Sequence, residues 1–157
     1  MGSEARRGDV ESRPIRRYAE AMRRLKESGL RPTRQRLSLL GMLIETAPRH
    51  VTAEELFQEA RQAGIPVSLA TVYNTLNQFT QAGLMGEVVV GSGQCYFDTD
   101  PSSHVHYFDK STGEIYDIPH DVVTINNLPE PPPGKVIDRV DVVVRIKNVD
   151  KADRPGD

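Results

Sequence analysis

Apolar residues recur at helical spacing in four stretches along the first half of the chain. Tyr18, Met22 and Leu25, with Ala21 beside them, share one side of a helix whose other faces carry Arg16, Arg17, Arg23 and Arg24. Residues 15–28 therefore read as an amphipathic basic helix, stopped by Gly29. Thr33 is placed to cap a second helix, in which Leu37, Leu40, Met42, Leu43 and Ile44 are dense enough to be mostly buried and which ends before Pro48. Thr52 and Glu55 have the spacing of a capping box and open a third helix with Leu56, Phe57 and Ala60, closed near Gly64. His50 lies at the start of that helix. Ser68 caps a fourth, which buries Val72, Leu76 and Phe79 and ends at Gly83.

The period then changes. Glu87–Val90 and Gln94–Asp98 are short β-prone runs around Gly91-Ser92-Gly93, the signal of a hairpin. Compact helices followed by a hairpin predict a winged helix-turn-helix, whose last helix enters the DNA major groove. Further on, Val105–Phe108 and Glu114–Ile118 flank a Ser111-Thr112-Gly113 turn, and residues 129–134 form a stiff proline-rich connector. From Val136 to Ile146 every even position except Asp138 is Val or Ile, which predicts a half-buried strand. The expected class is α+β: a flexible extension over 1–14, a winged-helix DNA-binding domain over 15–98, a small C-terminal α/β dimerisation and ligand-sensing domain over 99–148, and a disordered tail over 149–157. So small a second domain with so much sheet edge needs a partner, and a second copy of the chain would supply one.

Composition narrows the function. The 157 residues include one cysteine, Cys95, which excludes an internal disulfide framework and a cysteine-rich zinc site within one chain, and suits a reducing, cytoplasmic setting. No run approaches the length of apolar sequence that a membrane span requires, and the polar N-terminus does not resemble a secretory signal. The net charge of −2 conceals a strong asymmetry. Residues 1–36 hold ten Arg and one Lys against five acids, and the remainder is acidic. Clustered cations at one end suit a phosphate-facing surface.

Between Gly64 and Gly86 there is no charged residue. The outer face of the fourth helix instead offers Thr71, Tyr73, Asn74, Asn77, Gln78 and Gln81, and amides of this kind can pair with base edges. Two alternatives stay open here: a neutral helix buried in a protein interface, and Tyr73 as an apolar filler.

Thr71-Val72-Tyr73-Asn74-Thr75-Leu76 after Ser68-Leu69-Ala70, with Arg31-Pro32-Thr33-Arg34-Gln35-Arg36 and His50-Val51-Thr52-Ala53-Glu54-Glu55-Leu56 upstream, resembles the ferric uptake regulator superfamily over roughly residues 16–147. The stretches from Asp98 to His106 and from Ile118 to Val123 look most like its iron response regulator branch (Irr) from alphaproteobacteria. This resemblance implies a dimeric, metal- or haem-responsive transcription factor that binds AT-rich double-stranded promoter DNA and is not an enzyme. Its expected DNA-contacting residues are Arg17, Lys26, Arg34, Arg36, Ser68, Thr71, Tyr73, Asn74 and Asn77. Asn74 stands where many relatives have Arg, so the operator preference should differ.

His104 and His106, two apart on a strand, project to one face and can reach one ion. From spacing alone, scattered surface histidines are as good a reading. The resemblance places His50, Asp98, His104, His106 and Asp117 on the superfamily's regulatory-site positions, and implies one manganese, iron or zinc ion per protomer in a site spanning both domains. Asp109-Lys110-Ser111-Thr112 replaces the Cys-x-x-Cys zinc motif of many relatives, so no four-cysteine structural zinc is expected, and Ser103 and Val105 replace ligands of a further metal site. The Irr likeness adds haem as the regulatory ligand, supplied by the haem biosynthesis machinery, with His104, His106 and His120 as candidate contacts. His120-Asp121 reads equally as a hydrogen-bonded loop pair, and Cys95 as a small inert apolar residue. Alternatives are a manganese- or iron-dependent metal or peroxide sensor of the same superfamily, and a small metallohydrolase in which His and Asp ligands activate water.

Overall fold

The basic N-terminal helix is longer than its pattern predicts. In the computed structural model, which describes residues 8–91, 93–102, 104–119 and 121–150, with side chains from Arg13 onward, α1 runs over Gly8–Glu27. It passes through Pro14, which has no N–H to donate to the preceding turn. Residues 8–14 of the expected flexible extension are thus helical, and residues 1–7 lie outside the described residues. The face of α1 that packs is Ala21 and Leu25, both fully buried, while Tyr18 stays 56% exposed. On the outer side Arg23 and Arg24 both reach Glu20, at 2.7 and 2.6 Å, and hold its carboxyl down to about 2.

Helix α2 (Arg34–Glu45) starts at Thr33, whose hydroxyl accepts from the Arg36 amide. It buries Leu39, Leu40 and Leu43, and Leu37, Met42 and Ile44 pack around that core half-exposed. The segment predicted to lead straight into the third helix first forms a two-residue strand, β1 (His50–Val51). Helix α3 (Ala53–Gln62) then opens with both halves of the capping box: the Glu55 amide donates to the Thr52 hydroxyl at 3.2 Å, and the Thr52 amide to the Glu55 carboxylate at 2.8 Å. Two otherwise orphaned helix-end donors are satisfied this way. Thr52→Ala should therefore lower unfolding free energy by about 1 kcal/mol. Chemical denaturation measures this directly, and an unchanged midpoint would show that the cap contributes nothing.

Helix α4 (Leu69–Gln81) is capped by Ser68 and buries the expected Val72, Leu76 and Phe79 completely. Its end is fixed by Gly83 at φ 75°, which lets the Leu84 amide reach back to the Phe79 carbonyl at 2.9 Å. A side chain at Gly83 would be strained in that backbone conformation. Strands β2 (Gly86–Val90) and β3 (Gln94–Asp98) form the expected hairpin, and β1 adds to its other side, giving an antiparallel sheet in the order β1-β3-β2. Phe97, Met85 and Val51 join the leucines of the helices in one core. Helices backed by a three-stranded sheet with a protruding hairpin make a winged helix.

The first compact unit ends at Ser102 rather than Asp98. The four extra residues belong to it because the Thr99 amide donates to the Arg49 carbonyl and the Asp100 amide to the Asp98 carboxylate. In the second unit, β4 (Val105–Asp109) is central, with β5 (Ile115–Ile118) antiparallel on one side and β6 (Val143–Ile146) parallel on the other. The strand predicted over 136–146 is thus only its last four residues. Alternation specifies which residues share a face but supplies no neighbour, and pairing with β4 begins only at Val143. Before it, Val136, Ile137 and Val140 are 86%, 45% and 38% exposed. The proline-rich connector has no regular structure and ends in a turn in which the Lys135 amide donates to the Pro132 carbonyl. Val149 and Asp150 have no regular structure, and the rest of the expected tail lies outside the described residues.

Candidate nucleic-acid interface and metal-ligating clusters

Burial of Val72, Leu76 and Phe79 turns the opposite side of α4 outward. Tyr73, Asn74 and Asn77 are exposed there, Thr71 is half-buried, and the Ser68 hydroxyl is engaged with the Thr71 amide at 3.1 Å as the cap. Tyr73 is 37% exposed, and its hydroxyl donates to Glu54 at 3.1 Å, which raises its pKa because the carboxylate disfavours a phenolate beside it. Gln94 and Cys95 of the hairpin, with Thr52, line the same recess. Cys95 donates to Glu87 at 3.0 Å, and burial together with that carboxylate pushes its thiol up to about 12. A thiol held in this way stays protonated at neutral pH.

The basic residues separate into two groups. Lys26 and Arg34 are exposed. Arg17 is ion-paired with Glu45, and Arg36 is held by Gln78 and by the Arg31 carbonyl.

Metal-ligating side chains gather in each unit. In the first, pairing of β1 with β3 sets His50 opposite Asp98, with His50 Nε2 3.0 Å from Asp98 Oδ2. Asp98 is 2% exposed, and its other oxygen accepts from the Asp100 amide at 2.8 Å. His50 is thus positioned by a strand and not by the helix start the sequence suggested. Arg49 and Thr99, which the sequence did not single out, fasten this pair. The Arg49 amide donates to the Thr99 hydroxyl at 2.8 Å, and the Arg49 guanidinium grips Glu59 through both nitrogens at 2.7 and 2.8 Å, which lowers the Glu59 pKa. These partners lie ten and fifty residues away in the chain, beyond the reach of local pattern.

In the second unit, His104 and His106 do share a face, with ring centres 4.3 Å apart. Register places Asp117 opposite His106, and its Oδ1 lies 2.9 Å from His104 Nε2 and 3.4 Å from His106 Nε2. Both imidazoles are nearly buried, with side chains 4% and 9% exposed. Two imidazole nitrogens and a carboxylate oxygen converging at this range suit a borderline divalent cation. Asp109 ends β4 and Lys110, Ser111 and Thr112 follow it in the connection to β5, with no sulfur ligand among them. His120 and Ser103 lie outside the described residues.

The fold of the first unit is that of a winged helix, a class that includes many DNA-binding regulators. The chain belongs to the ferric uptake regulator family, whose profile matches residues 27–129. It is 36% identical over 98 residues to the peroxide operon regulator of Bacillus subtilis, spanning 62% of this chain and 67% of that one. It is 37% identical over 92 residues to the ferric uptake regulation protein of Pseudomonas aeruginosa, spanning 58% and 69%. Among solved structures, the ferric uptake regulator of Pseudomonas aeruginosa with manganese aligns with a TM-score of 0.63 at 27% identity, over 82% of this chain and 97% of that one. The Vibrio cholerae ferric uptake regulator aligns at 0.62 and 26% identity, over 81% and 98%. Proteins of this family are regulators of transcription and not enzymes, which removes the metallohydrolase alternative. Among the described residues no helix is long and apolar enough to cross a membrane.

Proposed function

We propose that this chain is a cytoplasmic, homodimeric transcriptional regulator of iron and haem homeostasis. It reads AT-rich promoter DNA with α4, and its DNA affinity depends on one divalent cation per protomer. The observation that carries the cation is the convergence of His104, His106 and Asp117, with Asp117 Oδ1 within 2.9 and 3.4 Å of the two imidazoles. His50 and Asp98 are the further ligands implied by the family resemblance, and their own 3.0 Å approach supports that role. A cation that binds one conformation of the regulator more tightly than another shifts the population toward it, and in this way sets affinity for DNA. The manganese in the Pseudomonas aeruginosa relative's structure fits such a donor set. Exposed Val136, Ile137 and Val140, preceding β6, are surface that a second copy would cover.

Haem is the finer reading, and it rests on the Irr likeness of the residues around His104, His106 and His120. Neutral imidazole is a suitable axial ligand, and binding haem through His104 or His106 would draw on the same side chains as the cation. The test is a haem titration of the manganese-loaded protein on a promoter duplex, followed by fluorescence anisotropy and haem absorbance. Release at stoichiometric haem is the expected result. DNA binding that needs manganese but ignores haem would identify a metal or peroxide sensor and exclude the Irr reading.

A further inference from the structure

Arg36 is committed to neutral partners within the winged helix. It leaves α2 and reaches α4, where its Nε and Nη2 donate to Gln78 Oε1 at 3.2 and 2.8 Å. Its Nη1 donates to the Arg31 carbonyl at 2.7 Å, in the turn before α2. One planar guanidinium thus joins three segments of the winged helix: the turn at Arg31, α2 and the outward side of α4. Both lone pairs of the Gln78 oxygen are occupied by charge-assisted hydrogen bonds, which are stronger and more directional than neutral ones. The amide orientation of Gln78 follows, because only its oxygen can face a guanidinium. Its NH₂ group is then the part left for other partners.

Two consequences separate this arrangement from an arginine that grips phosphate. Three of the five N–H groups of the guanidinium are spent on Gln78 and Arg31, so its paired, planar edge toward Gln78 is not offered to a phosphate. And a glutamine whose oxygen is occupied cannot pair with adenine in two places, since that needs its oxygen for N6–H and its NH₂ for N7. Gln78 is restricted to donating, toward acceptors such as guanine N7 and O6 or thymine O4.

We propose that Arg36 is a positioning residue for DNA recognition: it acts through Gln78, fixing the pose of α4 and making Gln78 a donor-only reader, and does not itself neutralise a phosphate. This rests on α4 being the DNA-reading helix. Exposed Arg34, two residues away, keeps the phosphate role.

The test uses the full-length, manganese-loaded protein, a duplex recovered from random-sequence DNA by selection, and an unrelated duplex, with affinities measured over a range of salt. Arg36→Ala should lower the ratio of specific to non-specific affinity by about tenfold while leaving the salt dependence on the unrelated duplex unchanged. Gln78→Ala should do the same, and the double variant should be no worse than either single one. Arg36→Lys keeps the charge but not the planar fork, so it should fail to restore discrimination. Should Arg36→Ala instead weaken both duplexes equally and reduce the salt slope by about one, with Arg36→Lys restoring both, Arg36 is a phosphate contact and the inference is overturned. If the wild-type protein itself shows no preference for the selected duplex, the reading of α4 fails and takes this inference with it.

Discussion

Replacing His104 and His106 together with Ala is expected to abolish the response of DNA binding to manganese while leaving the protein folded. The two imidazoles supply both nitrogen donors of the second unit's cluster, and Asp117, 47% exposed at its side chain, is left as a lone carboxylate there. Removing two of the five proposed donors, and both of those nitrogens, should lower manganese affinity by more than about 100-fold, beyond the loss typical of supporting residues around a metal. The first unit should stay folded because its core draws on Leu25, Leu39, Leu56, Leu76, Phe79 and their neighbours. Metal titration by calorimetry, with circular dichroism as the folding control, measures both parts. A folded double variant that still binds manganese with native affinity would move the sensor elsewhere.

The second large effect is expected at Tyr73. Its ring lies on the exposed face of α4, so truncation removes no core packing, and its hydroxyl partner Glu54 is also at the surface. Tyr73→Ala should reduce affinity for the selected duplex by about 1–3 kcal/mol, the range of a good base contact, and leave affinity for unrelated DNA nearly unchanged. The assembly state should not alter, which sedimentation checks. Equal affinity of variant and wild type for the selected duplex would remove Tyr73 from the recognition surface.

What could be read from the sequence was what is decided locally. The Thr52–Glu55 box, the Ser68 cap and the Gly83 stop act within a few residues, and each is where its spacing placed it. The buried trio Val72, Leu76 and Phe79 follows from helical period alone, and the common face of His104 and His106 from strand period. Distant pairings were not legible in the same way. β1 exists only because His50 and Val51 find Asp98 and Phe97 across the sheet, and nothing around His50 distinguishes two strand residues from the approach to a helix. Arg36 looks like any other cation in a basic run, and its partner Gln78 is 42 residues away. The alternation over 136–146 was misleading for a related reason: it is consistent with a strand wherever a neighbour is available, and β4 is available to only its last four residues. The expectation that His50 and Asp98 serve the same ion as the later histidines came from the family resemblance alone, since no spacing rule supplies it.

The central claim is that a divalent cation sets the DNA affinity of this regulator, and anisotropy on the selected duplex tests it most directly. The protein is first stripped with chelator, then titrated with DNA in the absence and presence of manganese. Manganese should tighten binding by roughly 5- to 150-fold, the usual scale of coupling between two sites. Equal affinity in the two conditions would contradict it, leaving the clustered histidines and aspartates without a regulatory role.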